Sequence, residues 1–140
     1  GGEISLKVLF GTNVLLDLLL DRKAFSDPAA AVLSKSETGA LSGYACATTV
    51  TTIFYLCRKA VGKMKAGQYV HTLLSLLDIA PVNRKVIEAP LQAGTRDYED
   101  AVLSEATSLV SADAIVTRNK KDFVQSAVPV YTPGELMRRR

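Results

Sequence analysis

A chain of 140 residues has the length of one domain that can bury a core without disulfide or metal staples. With 48% of residues hydrophobic and only 22% charged, intrinsic disorder is excluded; at 6% aromatic and no tryptophan, aliphatic side chains must fill the interior. The net charge of +3 is carried by the terminal Arg138-Arg139-Arg140, which leaves the rest of the chain balanced. Such a tail reads either as a solvated terminus or as an arm that grips RNA, and charge alone does not choose a partner.

In chain order, the apolar run Leu6 to Phe10 predicts a first strand, and Thr12 to Leu20 a helix that begins at once after Gly11. Asp27-Pro28 supplies a cap acceptor and a first-turn proline, so a second helix is expected from there to Thr38, ended by Gly39. A second strand is predicted over Leu41 to Ala47. The helix after it, Thr49 to Val61, places Val50, Ile53, Phe54, Cys57 and Val61 on one buried face before Gly62 stops it. From Lys63 to Leu77 the pattern buries Val70, Leu73, Leu74 and Leu77 and turns Lys65, Gln68 and Thr72 to water.

A brief strand follows at Ile79 to Val82, and Asn83 is expected to cap a helix reaching Ala93-Gly94. The helix from Tyr98 to Val110 gathers Val102, Ala106, Leu109 and Val110 on one side. Ala114 to Thr117 reads as a strand buried on both faces, and Val128 to Tyr131 as a last strand before a helical turn at Pro133. Strands separated by helical stretches imply parallel pairing with right-handed crossovers and helices on both faces. The fold class expected is therefore α/β: one three-layer α/β/α sandwich, residues 1–140, with a central mainly parallel sheet.

Cys46 and Cys57 have no metal or redox spacing and sit among apolar neighbours, as buried thiols of a reducing compartment do. His71 has no partner at ligand spacing. No apolar run approaches the ~20 residues of a membrane span, and no signal-peptide pattern opens the chain; a cytoplasmic location is expected. The absence of a GxGxxG or P-loop run argues against a nucleotide-phosphate cradle.

In parallel sheets the ligand crevice lies beyond the carboxyl ends of the strands. Those ends gather Gly11, Thr12 and Asn13, then Thr48 to Thr52, then Thr117, Arg118 and Asn119. The helix start bearing Asp97, Glu99 and Asp100 can reach the same crevice, whereas Asp113 precedes its strand and belongs at the opposite rim. Thr12 and Asn13 are expected to organise the turn and cap the first helix. Thr117 either bonds a site residue or simply ends its strand, and Asp122 in KKDF reads as a local cap or turn acceptor ahead of a ligand.

LFGTNVLLDLLLDR, ATTVTTIFYLCRK, TRDYEDAVLSEA and ADAIVTRNKKDF, in this order over nearly the whole chain, resemble the PIN domain of VapC-like toxin ribonucleases. The resemblance implies the α/β/α sandwich already reached, a cluster of acids holding Mg²⁺ or Mn²⁺, and RNA cleavage. Clustered carboxylates repel unless a hard cation lies among them, and that cation can activate a water. It also implies an antitoxin-type protein partner and a homodimer.

Against that pattern the chain departs. Family members carry Asp where this chain has Gly11, and an acid where it has Thr52; the position of another acid falls on Asn119, and Asp100 alone of this set is retained. Asp97, one turn earlier, can assist Asp100. A site of one or two carboxylates holds Mg²⁺ poorly, so catalysis is expected to be weak or lost. The alternative is a non-catalytic module that binds RNA or protein on the same scaffold. Gly11 can reflect decay of an ancestral nuclease, deliberate silencing of a toxic one, or a backbone opened to phosphate; the second vacancy at Thr52 favours decay. Arg58, Lys59, Lys63 and Lys65 form a basic stretch that either tracks RNA or is a solvated cluster at a helix end.

Overall fold

The computed structural model describes residues 6–92, 94, 97–123 and 126–138. Five strands, β1 (Leu6–Phe10), β2 (Leu41–Cys46), β3 (Asp78–Ala80), β4 (Ala114–Val116) and β5 (Val130–Tyr131), form one sheet in the order β3-β2-β1-β4-β5. Every pairing is parallel, with Phe10 opposite Ala45 on one side and Val116 on the other. The predicted α/β class holds, and among the described strands the sheet is wholly parallel.

The helices are α1 (Thr12–Leu19), α2 (Ser26–Glu37), α3 (Ala47–Val61), α4 (Lys63–Leu76), α5 (Arg84–Gln92), α6 (Tyr98–Val110) and α7 (Pro133–Arg138), with a 3₁₀ turn at Lys120–Phe123. They cover both faces of the sheet. Alternate residues of β1 divide the interior: Val8 and Phe10 pack with α1 to α4 through Leu15, Val32, Ile53 and Leu73, while Leu9 packs with Val86, Val102, Leu103 and Phe123. A strand buried on both faces has no polar side to show, which explains the unbroken apolar runs VLF at the end of β1 and AIV in β4.

Several boundaries differ from the sequence reading for local reasons. Helix α2 starts at Ser26 after Phe25, with no side-chain cap, so Asp27 lies in the first turn as a favourable negative charge rather than as the cap. Helix α3 takes over at Ala47, so Thr48 and Thr49 are helical. Strand β3 stops at Ala80, before Pro81, which has no N–H for the ladder. At the other edge only Val130 and Tyr131 pair, although the Pro129 carbonyl still accepts from the Ile115 N–H at 3.0 Å. Leu74 and Leu109, expected inside, are 47% and 41% exposed. Helix α4 buries only the narrow stripe of Ala66 and Leu73, and α6 the stripe of Val102, Leu103, Ala106 and Thr107.

Other expectations are met. The Asn83 Oδ1 accepts from the Val86 N–H at 3.0 Å at the start of α5; Ala93, where that helix was expected to end, lies outside the described residues. Helix α7 opens with a reciprocal cap, the Thr132 N–H donating to Glu135 Oε1 at 2.9 Å and the Glu135 N–H to Thr132 Oγ1 at 3.1 Å. Cys46 and Cys57 are buried and unpaired with each other, and burial pushes the Cys57 thiol up, away from reactivity. Among the described residues no helix is long and apolar enough to cross a membrane.

Candidate metal and RNA site

Parallel strands ending together place the starts of α1 and α3 and the loop after β4 around one opening. A cavity of about 310 Å³ lies there, lined by residues that include Gly11, Thr52, Asp97, Glu99, Asp100, Asn119 and Asp122. Thr12, Asn13, Thr117 and Phe123 complete its wall. The sequence-predicted site residues thus converge. Asp113 is at the opposite rim, as expected, where its carboxylate accepts from the Lys7 N–H at 2.8 Å.

Gly11 ends β1 and precedes α1 with φ −65° and ψ 152°, extended backbone that any residue adopts. Its N–H donates to the Val116 carbonyl at 2.7 Å, which pins it to the neighbouring strand. A Cβ at this position would stand 3.1 Å from that same carbonyl and 3.5 Å from the Thr117 side chain. Aspartate would therefore require that backbone carbonyl of β4 to give by a few tenths of an ångström. The conformation does not demand glycine.

Thr12 and Asn13 do not cap α1: its N-cap is Gly11, and no side chain bonds there. Thr12 Oγ1 instead meets the buried Thr49 Oγ1 at 2.9 Å, joining α1 to α3. It also lies 3.5 Å from Glu99 Oε1. Thr117 does both things left open for it. Its N–H continues the sheet to the Tyr131 carbonyl at 2.8 Å, and its buried Oγ1 accepts from the Asn119 N–H at 3.1 Å, shaping the loop.

Asp97 is the N-cap of α6, its Oδ1 accepting from the Asp100 N–H at 3.1 Å. Half its carboxylate is thus committed to the helix start. Asp100 is half-buried, and its pKa is raised to about 7, first by desolvation and then by the charges of Asp97, Asp122 and Glu99. This corrects the reading of Asp122 as a local acceptor: the 3₁₀ turn aims it into the cavity, within electrostatic range of Asp100. Sequence reasoning missed it because KKDF looks like a turn. The signal available was its position three residues beyond Asn119, one 3₁₀ turn along.

Gly11 and Thr52 leave the β1–α1 and α3 walls neutral, so the acids lie along the α6 start and the 3₁₀ turn. Among the described residues no three Asp, Glu, His or Cys side chains come close enough to enclose a metal ion. In kind the donors suit a hard divalent cation, because they are oxygens and one is a carboxyl made basic by its neighbours. In number, among the described residues, they fall short of enclosing one.

A sequence model of the PIN domain matches residues 7–121. No curated protein matches the chain. Among solved structures, a toxin–antitoxin complex from Klebsiella pneumoniae has 24% identity and a TM-score of 0.66, over 90% of this chain and 97% of that one. VapBC2 from Rickettsia felis, bound to a promoter DNA fragment, has 16% identity and a TM-score of 0.68 over 90% and 97%. VapC20 of Mycobacterium tuberculosis, a sarcin-ricin loop cleaving toxin, has 10% identity and a TM-score of 0.62 over 77% and 86%. These likenesses are of fold. With a match that runs from β1 into the 3₁₀ turn, and the parallel sheet to go with it, the chain belongs to the PIN domain family.

Proposed function

We propose that this chain is a single PIN domain of the VapC-like toxin lineage whose Mg²⁺- or Mn²⁺-dependent RNA cleavage is weakened or lost. The observation that carries this reading is the lopsided cavity, with Gly11 and Thr52 on its walls beside Asp100. PIN domains generally depend on divalent metal. Here Asp100 would be the principal ligand, with Asn119 and Asp122 adding oxygens and Asp97 constrained by its cap. The cation would supply an activated water and charge neutralisation at the phosphate. The protein's own part is to hold acceptor oxygens around the cation.

Several solved relatives are toxin–antitoxin complexes, some bound to DNA, which supports an antitoxin-type protein as partner in the cytoplasm. RNA as substrate and a homodimer follow from the lineage. Calorimetry with Mn²⁺ beside an RNA cleavage assay tests the reading. Millimolar-range binding that Asp100→Ala abolishes, with slow or absent cleavage, is expected. Tight binding and rapid cleavage would refute impairment. No metal heat at millimolar concentration would leave a binding module without catalysis.

A further inference from the structure

Among the described residues Asp17 is the one charged side chain that is buried, at 1% exposure, on the otherwise apolar face of α1. A carboxylate is costly there unless paired, and it is paired. Arg118 Nε donates to its Oδ2 at 3.0 Å and Nη2 to its Oδ1 at 3.4 Å, while Arg22 Nη1 reaches Oδ1 at 3.2 Å. The Arg118 guanidinium also lies over the Phe25 ring, 4.3 Å from its centre. Planarity and two-point contact fix the orientation of Arg118 in a way that a point charge cannot.

The position of this fork gives it a consequence. Arg118 stands between Thr117 and Asn119, which both line the acidic cavity. Asp17 lies four residues beyond Asn13, one turn deeper on the same face of α1. Neither Asp17 nor Arg118 lines the acidic cavity; both border a separate, more apolar cavity of about 210 Å³ with Phe25 and Pro133.

We infer that Asp17 and Arg118 are positioning residues of the acidic site. Their fork fastens the loop bearing Thr117 and Asn119 to the helix bearing Thr12 and Asn13, and so sets the width of the crevice. The link to metal rests on the function proposed above; the link to loop geometry does not.

The experiment uses the full chain and two variants, Arg118→Lys, which keeps the charge but loses the fork, and Arg118→Gln. Arg22 still pairs with the buried Asp17 in both variants, and Arg118 itself is only partly buried, so both are expected to fold. Amide exchange at Asn119, whose N–H donates to Thr117 Oγ1, is measured by NMR, and Mn²⁺ affinity by paramagnetic resonance on the same samples. Both variants should speed exchange at Asn119 about tenfold, the loss of one charge-assisted hydrogen bond, while Leu9 and Ile115 in the central strands keep their rates. Mn²⁺ affinity should fall by a similar factor. Unchanged exchange at Asn119 overturns the inference, as does equal acceleration at Leu9 and Ile115, which would mean general destabilisation. A parallel Asp100→Ala sample separates the two readings. If parental Mn²⁺ binding ignores Asp100, the proposed metal site fails, and the exchange rates still decide whether the fork holds the loop.

Discussion

Replacing Asp100 by Asn should stabilise the protein, and by an amount that depends on pH. The Asp100 carboxyl is displaced from 3.8 to about 7, mostly because it loses water and partly because Asp97, Asp122 and Glu99 repel its charge. At 1.36 kcal/mol per pH unit the full displacement corresponds to about 4 kcal/mol. The group is only half-buried, so solvent screening reduces this to about 2 kcal/mol. Between these two pH values the folded chain holds a proton that the unfolded chain has lost. Stability is thus greatest below 3.8, falls as pH rises towards 7, and is then level. Asparagine keeps the shape and carries no charge, so it should match the parent at low pH and exceed it by about 2 kcal/mol above pH 7. For a chain of this size that is a Tm difference of about 4–8 °C. Urea titrations of both proteins at about pH 5 and pH 8, without divalent metal, provide the comparison. The difference between the two curves removes the contributions of other titrating groups. A gap that does not grow with pH, or an Asn variant less stable than the parent at the higher pH, would refute the account of a crowded, cation-free acid cluster.

Two further outcomes follow from the same geometry. Gly11→Asp combined with Thr52→Asp should raise Mg²⁺ affinity at least about tenfold, because the backbone at Gly11 accepts a side chain and both positions line the cavity; calorimetry with Mg²⁺ reads this directly, and unchanged affinity would show that these walls do not face the ion. Lys63→Gln with Lys65→Gln should leave the Tm within about 2 °C, since both side chains are exposed at the start of α4 beyond the Gly62 break; a larger drop by calorimetric scan would mean that their stems pack.

The elements were legible because each has a strong local signature. VLF and AIV are apolar throughout, Gly62 breaks the long α3–α4 pattern with φ +89°, and Asn83 announces α5. Edges were less legible, since β3 and β5 are cut short by which neighbours they meet and by Pro81 and Pro129, not by their own hydrophobicity. Leu74 and Leu109 fit the helical period and still face out, because a helix on a sheet buries a stripe and periodicity alone does not give its width. At the site, the convergence of Gly11, Thr52, Asp100 and Asn119 followed from strand ends and the family resemblance. Asp122 did not, since its spacing from Asn119 points it into the cavity only once KKDF winds as a 3₁₀ turn. The Asp17–Arg118 fork joins residues 101 positions apart, and only the fold brings them together.

Taken together, the distribution of charge matters more than its amount. Asp97, Glu99, Asp100 and Asp122 supply as many carboxylates as a metal nuclease could use, yet they lie along α6 and the 3₁₀ turn, while Gly11 and Thr52 leave the other walls neutral. A cation drawn to one wall is coordinated on one side and keeps its water on the other, so it is held weakly and cannot clamp a phosphate between opposed ligands. The same asymmetry lowers the repulsion that an RNA backbone would meet at the neutral wall, where the α1 N-terminus offers its positive end. On the function proposed above, neutral residues at Gly11 and Thr52 would weaken cleavage more than RNA contact. Restoring either acid singly should recover metal affinity in part, whereas recovery of cleavage should require both, and a single substitution that restores full cleavage would show that one opposed ligand is sufficient.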